Sequence, residues 1–389
     1  MTSSPAKPQR MIRSRRRYEL RSGALNAEID ALVAAALAEF GARDAESAEY
    51  ARQMIVTALR FLRDDTDDGD FKLVNAAIKE LRHALRVFAP YEGVRKVSVF
   101  GSARTQPGSP DWEQAERFAG AMARHGWMVI TGAGGGIMQA AQGGAGRDAS
   151  FGVNIRLPFE QQANEVIAGD AKLVNFRYFF TRKVSFVRHS HAIALFPGGF
   201  GTHDEGFEAL TLIQTGKSEM LPVVFVDAPG GDYWRDWAQY VADHLLGRKL
   251  ISPDDVALFR VTDSVDDAVT ELTRFYRNYH SSRYVGDRLV LRVNEAPSGD
   301  ALAALSREFS DLLVRGAIEA STALPEEKGE LPALPRLVLH YDRKNTGRLR
   351  RLIDRLNDIA PKTEPAAGAV PHQIVPAEMP ADAEREEAE

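Results

Sequence analysis

An α/β fold organised on a doubly wound parallel sheet is predicted by three observations. Short apolar runs alternate with stretches of helical periodicity through the middle of the chain, and two of those runs end in glycine-rich turns that open helices. The third is a change of pattern on either side of that alternation, helices alone before it and a mixed pattern after it. With 389 residues the chain is long enough for more than one domain and a large core.

The elements follow in order. Residues 1–22 carry Lys7, Arg10, Arg13, Arg15, Arg16, Arg17 and Arg21 and read as a mobile, solvated basic tail. In residues 23–92, Ile29, Leu32, Val33, Ala36, Leu37 and Phe40 fall at helical spacing. Tyr50, Met54, Ile55, Ala58, Leu59 and Leu62 do the same, as do Phe71, Val74, Ile78, Leu81 and Leu85, which makes this a small helical module. Its acidic connector 64–69 has Asn75 where a calcium loop needs a bidentate glutamate, so it reads as a solvated helix break.

The central segment, 93–280, predicts strands over 97–101, 127–131, 150–157, 172–175, 191–196 and 222–226. Helices are predicted over 112–124, 136–146, 178–188, 204–215 and 234–246. Residues 281–360 form a separate small α+β module, with strands at 288–293, 317–322 and 336–341 and helices at 299–313 and 347–356. This order is similar to part of a ferredoxin-like module, and nothing in it looks catalytic. It reads as a packing appendage or as a regulatory unit that pairs with its copy or binds a small effector. The stretch 361–389, rich in Pro, Ala and Glu, is expected to be disordered.

Composition narrows the chemistry. The residues are 44% hydrophobic and 26% charged with a net charge of −5, so no global electrostatic case for nucleic acid arises. The absence of cysteine excludes disulfides, thiolate catalysis and Cys-ligated zinc. The histidines His189, His191 and His203 show no metal-ligand spacing, so no metal and no cofactor is expected. No apolar run is long enough for a membrane span or a secretory signal, and the expected location is the cytoplasm.

The chemistry concentrates in two loops. His191–Phe196 is an apolar strand, 197–205 reads Pro-Gly-Gly-Phe-Gly-Thr-His-Asp-Glu, and a helix follows; 130–138 repeats the design with Gly132, Gly134, Gly135 and Gly136. Glycines bring backbone N–H groups close to an anion, and a helix start adds unpaired donors and the positive end of its dipole. A phosphate is the expected guest, held by these four glycines, by Gly198, Gly199, Gly201 and Thr202, and by Ser102 after the first strand. Thr202 and Glu205 also fit a capping box, in which they serve only to satisfy the first helical turn. A dinucleotide site is not favoured: counting from Gly132 or Gly134, the sixth position of Gly-x-Gly-x-x-Gly is Ile137 or Gln139.

Pro-Gly-Gly-x-Gly-Thr-x-x-Glu at 197–205, with Arg182-Lys183 opening the preceding helix, resembles the LONELY GUY family of phosphoribohydrolases, often mislabelled lysine decarboxylases. The resemblance covers about 95–280 and implies a Rossmann-like domain. It implies hydrolysis of the N-glycosidic bond of a nucleoside 5′-monophosphate to free base and ribose 5-phosphate, and a homo-oligomer with sites near the interface. Its catalytic pair maps onto Arg182 and Glu205. Glu205, at a helix start, is expected to stay ionised through the dipole and to serve ribose, water and a cationic sugar, while Lys183 and Glu208 are further candidates for substrate contact. The family's methionine and histidine before the Arg-Lys pair are replaced by Phe179 and Phe180, a change that bears on the base. A non-catalytic nucleotide sensor or carrier on the same fold is the rival reading.

Overall fold

The computed structural model describes residues 18–41, 45–156 and 162–360. The basic tail up to Arg17, the tail 361–389 and the last residue of the strand expected over 150–157 lie outside the described residues. The chain divides into two compact units between Ala76 and Ala77, inside a helix.

The first unit holds α1 (Gly23–Phe40), α2 (Ala45–Phe61) and the opening of α3 (Asp68–Phe88). Ser22 caps α1 by accepting the Leu25 N–H at 3.3 Å. Ile29 and Val56 are buried, and the buried Arg52 donates from Nε to Asp30 at 2.9 Å. The acidic connector starts α3: the Asp67 carboxylate accepts the Asp70 N–H at 3.0 Å.

The second unit begins with the rest of α3 and continues as β1 (Lys96–Phe100), α4 (Pro110–Arg124), β2 (Met128–Thr131), α5 (Ile137–Ala145), β3 (Ser150–Ile155), β4 (Leu173–Phe176), α6 (Phe179–His189), β5 (Ala192–Leu195), α7 (Phe200–Gln214), β6 (Val223–Val226), α8 (Tyr233–Tyr240), β7 (Phe259–Thr262) and α9 (Val265–Phe275). The seven strands form one parallel sheet in the order β4-β3-β2-β1-β5-β6-β7. The strands β1, β2, β5 and β6 are buried along their length because helices cover both faces. Phe118, Met122, Ile137 and Leu272 pack on one face, and Phe88, Phe186, Phe225 and Trp234 on the other. Strand order reverses between β1 and β5, so the loops beyond their carboxyl ends part and leave a crevice.

β7 escaped the sequence reading because it is an edge strand of alternating, half-buried residues rather than an apolar run. The helix expected over 234–246 is α8 followed by a π-helical segment, Val241–Leu246.

The remaining elements are β8 (Tyr279–Val285), β9 (Arg288–Val293), α10 (Gly299–Glu308), β10 (Leu313–Ser321), β11 (Arg336–Tyr341) and α11 (Thr346–Ile359). They build an antiparallel sheet in the order β10-β11-β9-β8. Taken from β9, the path is that of a ferredoxin-like sheet whose last strand has moved to the front as β8. β8 was not expected, since His280, Ser281, Ser282 and Arg283 hide it among polar residues. The buried Asn357 of α11 fixes this sheet to the first: its side chain accepts the Asn278 and Tyr279 N–H groups at 2.8 and 3.0 Å and donates to the Phe275 carbonyl at 2.7 Å. No helix among the described residues is long and apolar enough to cross a membrane.

Candidate active site

A cavity of about 980 Å³ lies over the reversal point. The loops after β1, β2 and β5 meet there through one residue: the Ser102 N–H donates to the Pro197 carbonyl and the Ser102 carbonyl accepts the Ile137 N–H, both at 3.0 Å. Gly136 makes the second link possible. Its φ of 61° is left-handed, and a Cβ there would run into the Ser102 carbonyl. The Ser102 hydroxyl accepts the Arg104 N–H at 3.1 Å.

Of the residues expected to hold phosphate, Ser102, Gly132, Gly198, Gly199, Gly201 and Thr202 line this cavity, together with Arg182 and Glu205. Nothing stands within 4 Å of where a Cβ would lie at Gly199 or Gly201, which leaves the backbone at the α7 start open to a guest. Gly134, Gly135 and Gly136 do not line it; they shape the turn instead. The buried Asn164 side chain donates to the Gly134 carbonyl at 2.9 Å, and Gly135 and Gly136 pack on the loop after β1. Lys183 and Glu208 also lie off the cavity wall, because Lys183 Nζ is held at 2.8 Å by Asp204 and at 3.0 Å by Glu208. Two carboxylates one helical turn apart on α7 therefore consume that cation.

The capping box does not form. Gly199 is the N-cap of α7, its carbonyl accepting the Thr202 and His203 N–H groups at 3.1 and 3.2 Å, so Thr202 lies in the first turn and Glu205 in the second. Among the described residues the Thr202 hydroxyl has no hydrogen-bond partner. It is left to face a ligand.

Arg182 sits in the first turn of α6, which Glu80 of α3 anchors by accepting the Thr181 hydroxyl at 2.6 Å and the Arg177 N–H at 2.9 Å. Its Nε donates to the Val153 carbonyl at 2.9 Å, and its Nη atoms reach beside Gly132, where a Cβ would collide with them. Burial lowers its pKa and the Glu205 charge opposes the shift; a guanidinium stays charged regardless. Glu205 makes no ion pair or hydrogen bond among the described residues. Burial pushes its carboxyl up to about 7, against the pull of Lys183 and Arg182 and with added push from Glu208 and Asp204. The helix dipole does not keep it fully ionised, as the sequence suggested, because desolvation outweighs a dipole that fades within the first turn. A half-ionised carboxyl opposite an arginine with open Nη groups suits proton transfer.

Tyr233, at the start of α8, was missed by sequence reasoning. Its hydroxyl donates to the Gly198 carbonyl and it lines the cavity beside His203, but no motif marks it.

Residues 135–272, which include α5, the Arg182 turn and the Glu205 helix, match the family described as "Possible lysine decarboxylase". The chain carries a LONELY GUY-like domain. Solved structures similar to this domain's fold include the molybdenum cofactor carrier protein of Chlamydomonas reinhardtii, 18% identical over 46% of this chain and 97% of that one with a TM-score of 0.34. The structural genomics target TM1055 is 21% identical over 46% of this chain and 97% of its own, with a TM-score of 0.33. DNA processing protein A of Helicobacter pylori is 14% identical over 46% and 80%, with a TM-score of 0.31. No curated protein matches the chain.

Proposed function

We propose that the LONELY GUY-like domain hydrolyses the N-glycosidic bond of a nucleoside 5′-monophosphate, releasing the base and ribose 5-phosphate. The observation that carries this reading is the unpartnered Glu205 carboxyl, poised near neutrality in the same cavity as Arg182 and the glycine turn. The 5′-phosphate rests on the α7 start, against the Thr202 hydroxyl and the Ser102 loop. Glu205 takes a proton from water as the oxygen adds to the anomeric carbon and the bond to the base nitrogen breaks. Arg182 steadies the negative charge that collects on the departing base. A homo-oligomer acting in the cytoplasm belongs to this reading, and the solvent-exposed rings of Phe179, Phe180 and Phe200 beside the cavity support the former.

The purified protein is expected to release base and ribose 5-phosphate from at least one of AMP, GMP, CMP, UMP or a cytokinin ribotide, followed by chromatography, while sparing the matching nucleoside. Equal rates on AMP and adenosine would remove the phosphate from the argument. Tight binding without release would favour a nucleotide carrier instead.

Because Thr202 is not a cap, Thr202→Ala should leave the melting temperature unchanged. It should weaken mononucleotide binding about fivefold, the value of one net hydrogen bond. A calorimetric titration beside a melting curve checks both; a lower melting temperature with unchanged affinity refutes the ligand role.

A further inference from the structure

At the opposite end of the parallel sheet a second cavity, of about 360 Å³, opens between the two sheets of the second unit. Arg95 enters it from just before β1, His191 from just before β5 and Glu219 from ahead of β6; Tyr276, His280 and Ser281 close it from the other side. The Arg95 guanidinium lies 3.7 Å from the centre of the Tyr276 ring. Among the described residues it has no carboxylate within ion-pair distance. The neighbouring Lys96 is spent on structure, its Nζ bonded to the Val94 carbonyl at 2.7 Å and to the Tyr91 carbonyl.

The two histidines are donors rather than charges. His191 Nδ1 accepts the Lys96 N–H at 3.1 Å, which leaves its proton on Nε2; burial, with Lys96 and Arg95 beside it, holds its pKa down at about 3. His280 Nδ1 pairs with the Ser281 hydroxyl at 2.9 Å, and burial lowers its pKa as well. Glu219 has neither a hydrogen bond nor an ion pair among the described residues. An arginine fork and a carboxylate therefore face one crevice, each without a partner of its own.

We propose that this crevice binds a small metabolite bearing an oxyanion, a phosphate or a carboxylate, anchored by Arg95 and flanked by the N–H groups of His191 and His280, with Glu219 accepting from a donor elsewhere on the ligand. A guanidinium matches either oxyanion in two-point geometry, and stacking on Tyr276 fixes its plane. A metal ion is a poor fit beside an arginine. The position gives the ligand reach: Arg95 and His191 lie at the lower ends of β1 and β5, whose upper ends lead to Ser102 and Gly198. At roughly 3.3 Å per residue the two cavities are about 20 Å apart along the same two strands.

Isothermal titration of the full chain with inorganic phosphate, pyrophosphate, succinate and glutamate tests the site, the first two against the last two distinguishing the oxyanion. At least one probe should bind to Arg182→Ala, whose upper cavity is impaired, as it does to the wild type. Its affinity should fall about tenfold or more in Arg95→Met. His280→Ala, at a half-exposed position, should weaken the same probe and keeps the test open if Arg95→Met fails to fold. Binding lost in Arg182→Ala but kept in the Arg95 and His280 variants, or no binding by any probe, overturns the proposal.

Discussion

Replacing Glu205 by glutamine is expected to abolish turnover and, above neutral pH, to make the protein more stable than the wild type. The amide keeps the shape but can neither take a proton from water nor balance a cationic sugar, a loss of about 10²–10⁴ in rate. Stability moves the other way. The folded carboxyl is held at about 7, above its ordinary value, so the folded state retains a proton that the unfolded chain releases as the pH rises from about 4.5. The stability that comes with this extra proton is fully present below the unfolded pKa and is lost as pH rises through 7. Above pH 7 the buried charge costs on the order of 1–3 kcal/mol, discounted for partial solvent access, and glutamine escapes that cost. Melting curves at pH 8 and pH 5 should show a clear gain at pH 8 that shrinks towards pH 5. Wild-type kcat/KM should fall as pH drops below 7 if the ionised form is the one at work. A glutamine variant that keeps its turnover, or melts lower at pH 8, contradicts the role given to this carboxyl.

Arg182→Ala should cost about 10²–10³ in kcat, the scale of losing a preorganised charge opposite a leaving group, with a smaller change in KM. Lysine should not restore it. The side chain divides its nitrogens between two tasks, Nε on the Val153 carbonyl and the Nη atoms towards the cavity beside Gly132, and a lysine has one nitrogen for both. Steady-state kinetics on all three proteins decides: recovery by Arg182→Lys would reduce the residue to a point charge.

The central fold was legible because buried parallel strands are continuous apolar runs, as in β1, β5 and β6, and because glycine turns mark their ends. β7 and β8 were not, since an edge strand and a strand rich in polar side chains carry no such run. Within the site, Arg182 and Glu205 were readable from spacing and resemblance. What spacing could not tell is which face a neighbour takes: Lys183 and Glu208 turn to each other, and the helix begins at Phe200 rather than after Thr202. The supports for the pair come from far along the chain, with Glu80 anchoring the Arg182 turn, Asn164 holding the Gly134 carbonyl and Tyr233 the Gly198 carbonyl. Only folding brings them together.

The junction at Ser102 uses no side-chain atom. Its amide hydrogen and its carbonyl oxygen clamp the two glycine turns to the first strand, so the three loops move as one body or not at all. Geometry at the phosphate seat is therefore indifferent to which amino acid stands at position 102, with proline barred for want of a hydrogen. The hydroxyl is left as an independent variable, at liberty to drift with the ligand while the scaffold beneath it stays the same.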